Sequence, residues 1–298
     1  MALTLTSCLR RGILRLSGDV AFARRHTIQI SRGHGTLMAQ QIYRVCPKAK
    51  SLALKLKDRD DQETKKRCIT PLSAAKAIKY AIQWNVHVIS MSWTIRYPGP
   101  QRQSGPEFKE RAAAVQEAQS KYILLFCSAR DQGQDNAPTY PAFKAGAIFK
   151  IGGADIDGNL HTQVGVEDKV DFIFPGDTMS SDDIKGTLSQ GQWFTGSSVA
   201  TAFAAGLAAL ILYCAQVRIA MVAKSPREKE LCTAAFKTLK EHNGMETAFN
   251  AIGKSKKYLP VWEVFDRSLI SRNGMDELDL VASIPVILYP NIYSSASS

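Results

Sequence analysis

From Gly186 to Val217 the chain carries no charged side chain, and its inner part, Val199 to Cys214, reads V-A-T-A-F-A-A-G-L-A-A-L-I-L-Y-C. A helix that is apolar all round has to be surrounded, either by lipid or by the centre of a large layered core. The almost wholly apolar part is 16 residues long, short of the roughly 20 that a bilayer demands. It is also rich in Ala and Gly. The reading is a buried helix, with no membrane partner. A chain of 298 residues, 45% apolar and 22% charged, has the material for such a core. Collagenous, mucin-like and wholly disordered classes are excluded.

Around that helix, helical periods alternate with short apolar runs. Thr36 to Val45 is predicted helical, with Met38, Ile42 and Val45 on one face and Pro47 as its stop. Ser51 to Leu56 reads as a strand. Pro71 to Trp84 is an amphipathic helix (Ala74, Ala77, Ile78, Ala81, Ile82) with Thr70 as N-cap and Pro71 at the first helical position. Glu107 to Gln119 is helical. Val86 to Met91, Tyr122 to Cys127 and Ala147 to Gly152 are strands with little polar alternation, as befits strands covered on both faces. The pattern is α/β, a mostly parallel sheet with helices on both faces. Towards the C-terminus, Ser225-Pro226-Arg227-Glu228 opens a helix to about Glu241, Ile284 to Tyr289 reads as a last strand, and Ser294 to Ser298 as a frayed tail.

The chain holds 38 basic against 27 acidic residues, a net charge of +11. Residues 1–36 contribute six arginines and one acid, Asp19, so nearly half of the excess sits in that short stretch. No nucleic-acid-binding motif accompanies the charge, and a solvated basic surface, with no nucleic-acid partner, is the reading. The six cysteines are scattered, form no C-x-x-C and have no histidine at zinc-ligand spacing. They read as buried thiols of a reducing compartment, and no metal or cofactor is expected. A cytoplasmic location follows from these negatives; the Arg-rich, acid-poor N-terminus leaves a mitochondrial presequence as the alternative.

Two motifs carry chemistry. In Gly33-His34-Gly35-Thr36-Leu37-Met38-Ala39 a histidine stands at a helix start; in Thr195-Gly196-Ser197-Ser198-Val199-Ala200 a serine opens the most apolar helix. Taken singly, each also reads as a cap. Together they make a nucleophile and its base. A serine hydroxyl attacks well only when an imidazole takes its proton. A helix N-terminus offers free N–H groups to a developing oxyanion.

With these motifs in place, the sequence resembles the subtilisin-like serine proteases, the subtilases. Val86-His87-Val88-Ile89-Ser90-Met91-Ser92-Trp93 is similar to the strand lining the family's substrate cleft. Leu124 to Gly133, followed by Tyr140-Pro141-Ala142, resembles its oxyanion segment, and Ile151-Gly152-Gly153-Ala154 and Phe174-Pro175-Gly176 fall in the family's order. The resemblance runs from about Gly33 to Gln216 and implies a subtilisin-like three-layer fold. It makes Ser198 the nucleophile, His34 the general base and the Ser198 N–H an oxyanion donor. Asp131 becomes the oxyanion-hole candidate, Ser90, Ser92 and Trp93 the substrate-binding residues, and a peptide or protein the partner.

Three departures from the family pattern stand out. The family's catalytic Asp, at the end of the first core strand, has no counterpart; Asp19 lacks the following glycine, and Asp58, Asp60 and Asp61 read as a solvated turn. Losing such an acid costs about 10⁴ in turnover where it has been removed from a triad. Asp131 stands where the family usually has Asn, and an ionised carboxylate would repel an oxyanion. Trp93, Thr94 and Ile95 replace small residues beside the pocket and imply a restricted substrate range. The first core strand is accordingly expected to be missing and the chain to be a truncated form, with His26 to Ser31 as a substitute strand. The expected organisation is an atypical basic segment at 1–32, a catalytic core at 33–216, and C-terminal helices and tail at 217–298. The leading function is a serine endopeptidase working through an acyl-enzyme; the alternative is an impaired pseudoprotease that binds peptides. His87, inside an apolar strand, reads as a core residue.

Overall fold

A computed structural model describes residues 2–7, 21–23, 34–60, 67–96, 105–131, 133, 139–141, 146–179, 191–222, 225–260 and 277–288. In chain order it begins β1 (Ala2–Ser7), β2 (Ala21–Ala23), α1 (His34–Val45), β3 (Lys50–Lys55), β4 (Asp58–Asp60), β5 (Arg67–Ile69) and α2 (Pro71–Gln83). Next come β6 (Val88–Met91), β7 (Ile95–Arg96), α3 (Pro106–Ser120), β8 (Leu124–Ser128), β9 (Thr139–Tyr140) and β10 (Phe149–Ala154). The chain continues with β11 (Phe172–Pro175), β12 (Asp177–Met179), β13 (Trp193–Thr195), α4 (Ser197–Val217), α5 (Pro226–Leu239), α6 (His242–Gly253) and α7 (Glu277–Leu288).

The sheet has seven strands in the order β11-β10-β8-β6-β1-β3-β2. Strands β6, β8, β10 and β11 are mutually parallel, and β3 points the same way because both β3 and β6 pair antiparallel to β1. The apolar runs divide their side chains by parity, as a pleated strand must. Val88, Leu124, Phe126, Phe149, Ile151, Phe172 and Phe174 face a layer made of α1, α4, α6 and α7. Ile89, Met91, Leu125 and Cys127 face α2 and α3. That is a three-layer α/β fold, as the alternation of elements implied.

Helix α4 lies at the centre of the first layer, and 78% of its most apolar window is buried in protein. It is long and apolar enough to cross a membrane, but here most of its surface is met by protein, with Ser198, Phe203, Leu210, Tyr213 and Gln216 only partly buried. On the same face of the sheet, Phe126 stacks on Phe149 at 4.9 Å, and Phe249 of α6 meets Phe172 and Phe174 edge-on at 5.3 and 5.5 Å. Such ring pairs add about 0.5–1.5 kcal/mol each beyond the area they bury.

No parallel strand lies between β3 and β6 among the described residues. That interior position is held by β1, from the basic segment, running antiparallel to both neighbours with Thr4 opposite Ser90 and Leu54 opposite Leu3. The physical requirement is that the facing edges of β3 and β6 have their N–H and C=O groups paired. A strand of either polarity meets it. Polarity decides what arrives at the catalytic edge, however. Ser7 ends opposite Lys50, at the edge where β3 begins, so the edge where the parallel strands finish receives the start of β1. The proposed substitute strand at 26–31, and Asp19, lie outside the described residues.

Several local expectations come out differently. Ile284 to Leu288 is the last part of helix α7, not a strand: Val281, Ile284 and Leu288 face the core at helical spacing. Asp58 and Asp60 belong to β4, paired with β5, rather than to a turn. Helix α5 opens as expected, with the Ser225 hydroxyl accepting from the Glu228 N–H at 3.1 Å. Cys46, Cys127, Cys214 and Cys232 are buried and in no disulfide among the described residues.

Candidate active site

Helix α1 turns through Cys46–Ala49, closed by the Ala49 N–H on the Cys46 carbonyl at 3.0 Å, straight into β3. Its N-terminus therefore lies about 18 Å back, at the edge where β3 finishes. Helix α4 starts at the same edge. The Gly196 N–H donates to the Gly176 carbonyl at 2.9 Å, beyond the end of β11. A Cβ placed on Gly153, in β10, would lie 3.0 Å from the Gly196 carbonyl carbon.

The two helices touch at Gly206, where a Cβ would lie 2.9 Å from the Val45 Cβ and 3.3 Å from the Ile42 Cα. Ile42 is eight residues along from His34, and Gly206 eight along from Ser198. Each helix start thus stands about 12 Å from a shared contact. The structure brings His34 and Ser198 to one edge and one face of the sheet.

The serine turn is tightly held. Gly196 has φ 140°, in a region that favours glycine, and a Cβ there would meet the Asp131 Oδ2 at 2.7 Å. Asp131 reaches over the start of α4. It accepts from the Ser197 N–H at 2.9 Å and from the Ser197 hydroxyl at 2.6 Å. No acidic residue lies in the first turn of α4, so this carboxylate supplies both the missing cap and the charge that suits a helix N-terminus. Asp131 as a residue opens to solvent. Its carboxyl end is nevertheless crowded enough that desolvation raises its pKa, against the opposing pull of the Ser197 hydrogen bonds and of His161. In this geometry Asp131 is an acceptor, and the Ser198 N–H is one of the first-turn amides of α4 that lack an intrahelical partner.

Ser198 and Ser92 are joined twice. The Ser92 hydroxyl donates to the Ser198 carbonyl at 3.0 Å, and the Ser198 hydroxyl donates to the Ser92 carbonyl at 3.3 Å. The nucleophile candidate therefore rests with its proton on a backbone carbonyl.

His34 is partly buried, and its Nδ1 is buried without a hydrogen-bond partner. Burial, with a further contribution from the positive amino terminus, pushes its pKa down to about 4. The imidazole is neutral at neutral pH and available as a base. What it lacks is an acceptor at Nδ1 to fix its tautomer.

Two of the expected substrate residues lie inside the fold. Ser90 is 1% exposed and lies inside β6, paired with Thr4 on one side and Phe126 on the other, so it has no free backbone edge for an added peptide. Trp93 is 1% exposed and packs with Met91, Ile95, Cys127 and Tyr140, so its ring belongs to the core rather than to an open pocket wall. Ser92 alone of the three touches the serine turn. His87 packs edge-on against Phe236 at 5.8 Å.

Sequence reasoning missed His161 and Asp177. The His161 Nε2 lies 3.5 Å from the Asp177 Oδ1, with side chains 10% and 24% exposed. His161 lies in the connection after β10 and Asp177 at the start of β12, and no spacing rule joins them; the only signal was a histidine and an acid near the Gly-rich strand ends.

Residues 21–245 match the Subtilase family. The subtilisin-like protease het-Q2 of Podospora anserina is 32% identical over 127 residues, 43% of this chain and 32% of that protein. The match thus spans about a third of that relative's length. Among solved structures, a lanthipeptide protease is 19% identical with a TM-score of 0.47, covering 67% of this chain and 66% of that one. The self-cleaved protease domain of PatA is 21% identical with a TM-score of 0.39, covering 63% and 69%.

Proposed function

Because this chain belongs to the subtilase family, we propose that it is a serine endopeptidase domain in which Ser198 attacks and His34 takes its proton. The observation that carries this reading is the shared edge, where two packed helices begin at His34 and at Ser198. Ser198 gives up its hydrogen bond to the Ser92 carbonyl, turns to the imidazole and attacks the scissile carbonyl. The Ser198 N–H receives the oxyanion, and the imidazolium returns the proton to the leaving amine. An acyl-enzyme on Ser198 results, and water attacking by the same route releases the acid product. Substrate backbone meets the chain at Ser92, beyond the paired part of β6.

The rate is expected to be low, and the reason lies at His34. To accept a proton at Nε2 the ring must carry its hydrogen on Nδ1, which is buried with no acceptor. That tautomer costs about 1–3 kcal/mol as an unsatisfied donor. Among the described residues no carboxylate stands at Nδ1 to stabilise the imidazolium formed during attack. Removing the acid from a triad lowers turnover about 10⁴-fold.

A fluorophosphonate probe tests this directly. Slow covalent labelling of the protein, lost in Ser198→Ala, supports the assignment; equal labelling of both removes it. The second reading, a pseudoprotease that binds peptides, is favoured by the same orphan Nδ1 and by the Ser198 hydroxyl resting on Ser92. It predicts peptide affinity unchanged in Ser198→Ala and no labelling at all.

A further inference from the structure

We propose that Thr178, bonded to Gln41 and Arg44, is a positioning residue that sets how helix α1 points His34 at Ser198; the inference rests on the reading of that pair as base and nucleophile.

Three side chains join elements that are far apart in the sequence. The Arg44 Nη1 donates to the Thr178 Oγ1 at 2.8 Å, and the Thr178 hydroxyl donates to the Gln41 Oε1 at 3.1 Å. A longer approach, 3.5 Å from the Arg44 Nη1 to the same Gln41 oxygen, closes the triangle. A guanidinium can only donate, so the threonine oxygen accepts from it and keeps its own hydrogen for Gln41. Thr178 and Gln41 are each 7% exposed, while Arg44 reaches in from the surface. Turning any member away leaves a buried hydroxyl or amide oxygen without its partner, so the arrangement is held as a unit.

Each side of the triangle leads to the candidate site by a short route. Gln41 follows His34 by seven residues on α1, two turns and about 10 Å along the same face of the helix. Thr178 lies on β12 opposite Phe194, and its neighbour Asp177 lies opposite Thr195. Two residues before Thr178, the Gly176 carbonyl holds the Gly196 N–H at 2.9 Å, and Gly196 is two residues from Ser198. The strand pair is thus fastened to α1 at one end and to the serine turn at the other. The packing at Gly206 sets how closely α1 and α4 approach. Hydrogen bonds add direction, and the bond from Thr178 to Gln41 fixes the rotation of α1 about its own axis. With a side-chain tip about 6 Å from the helix axis, a rotation of about 10° moves the imidazole by about 1 Å. A displacement of that size costs on the order of 10²-fold in rate.

The test separates positioning from folding by reading two constants of one reaction. Fluorophosphonate labelling of the full chain is followed against probe concentration, which gives a limiting rate and a half-saturating concentration. Thr178→Val keeps the shape and removes the hydroxyl; it should lower the limiting rate about tenfold or more and leave the half-saturating concentration within about twofold. Thr178→Ser restores the hydroxyl and should bring the rate back to within about threefold of the wild type. Gln41→Leu should slow labelling likewise, and combining it with Thr178→Val should cost no further rate, because either change cuts the same link. An unchanged limiting rate in Thr178→Val, equal slowing in Thr178→Ser, or independent losses in the double variant would overturn the proposal. If the wild type is not labelled, the nucleophile reading fails, and resonances in isotope-labelled protein decide the matter. The His34 Cε1–H and the Gly196 and Ser197 amides must then shift in Thr178→Val and return in Thr178→Ser; resonances that ignore both variants overturn the positioning role. Should Thr178→Val not fold, Arg44→Met replaces it: a slower limiting rate supports the network, and an unchanged one overturns it.

Discussion

The two halves of the sheet are built on different terms. From β6 to β11, four neighbouring strands run parallel, are covered on both faces and finish at one edge, where they deliver Ser92, Asp131, Gly153 and Gly176 to the serine turn. From β1 to β2, every pairing is antiparallel. The difference teaches that backbone satisfaction and catalytic geometry are separable. Strand β1 completes the ladder of β3 and β6, yet its reversed direction brings the start of a strand, not the end of one, to the edge that holds His34. The parallel half has a nucleophile with a held turn; the other half leaves the Nδ1 of His34 without an acceptor.

Removing residues 2–7 is the strongest way to break the comparison. It would bare the facing edges of β3 and β6 in the interior of the sheet. Uncompensated interior amides and carbonyls exceed the net stability of an ordinary domain, about 5–15 kcal/mol. The expected result is loss of cooperative unfolding in urea, followed by circular dichroism. A truncated protein that unfolds at the wild-type midpoint would mean that β1 contributes nothing to the ladder.

The next effect tests the contact that joins the halves. Gly206→Leu places a branched side chain where even a Cβ meets Val45 at 2.9 Å. Overpacking of this kind costs about 1–3 kcal/mol, read as a lower urea midpoint. It should also reduce fluorophosphonate labelling, because pushing α1 from α4 separates His34 from Ser198. Gly206→Ala, with one methyl, should show the same two effects in weaker form. Labelling retained while stability drops would uncouple the helix contact from the site.

Much of the parallel half is written in the chain. Val88–Met91 and Leu124–Ser128 show little polar alternation, as strands covered on both faces do, and both are buried along their whole length. His34 and Ser198 were legible because a helix start leaves local marks, a glycine before the residue and an apolar period after it. The other half was harder to read. Leu3-Thr4-Leu5-Thr6 does alternate with a period of two, the signal of a strand, but it lies in an Arg-rich stretch whose composition equally suits a solvated segment. Nothing local encodes whether that strand runs up or down, since polarity depends on which edges stand open. The run at Ile284 failed for a related reason: a short apolar stretch fits either period, and only its neighbours in the core choose. His161 and Asp177 meet through tertiary folding alone.

Acid should expose one histidine at each end of β6. His34, at the catalytic edge, and His87, just before β6, are both pushed down to about 4 from an ordinary 6.5, chiefly by burial. Because the folded values lie below the unfolded ones, the unfolded chain takes up protons first. Stability is fully present above pH 6.5 and falls as the pH drops towards 4. Each histidine accounts for about 2–3 kcal/mol of that fall at most. Urea midpoints at pH 7 and pH 4.5 measure the sum, and His87→Gln should remove part of the dependence. An unchanged slope in that variant would show that His87 titrates normally.

The smallest effect bears on chemistry at the serine turn itself. Asp131 caps α4, and the same negative charge lies beside the amide that would receive an oxyanion. Its Oδ2 is 2.9 Å from the Ser197 nitrogen, one residue before the Ser198 N–H. At about 5 Å and an effective dielectric of about 40, a full charge opposes an oxyanion by roughly 1–2 kcal/mol. Asp131→Asn keeps an acceptor for the Ser197 N–H and removes the charge. Labelling should rise about tenfold, while stability falls by about 1 kcal/mol as charge-assisted hydrogen bonds become neutral ones. A fall in labelling would reverse the argument: holding the start of α4 would then matter more to Ser198 than the repulsion does, and the carboxylate would be the more effective residue at this position.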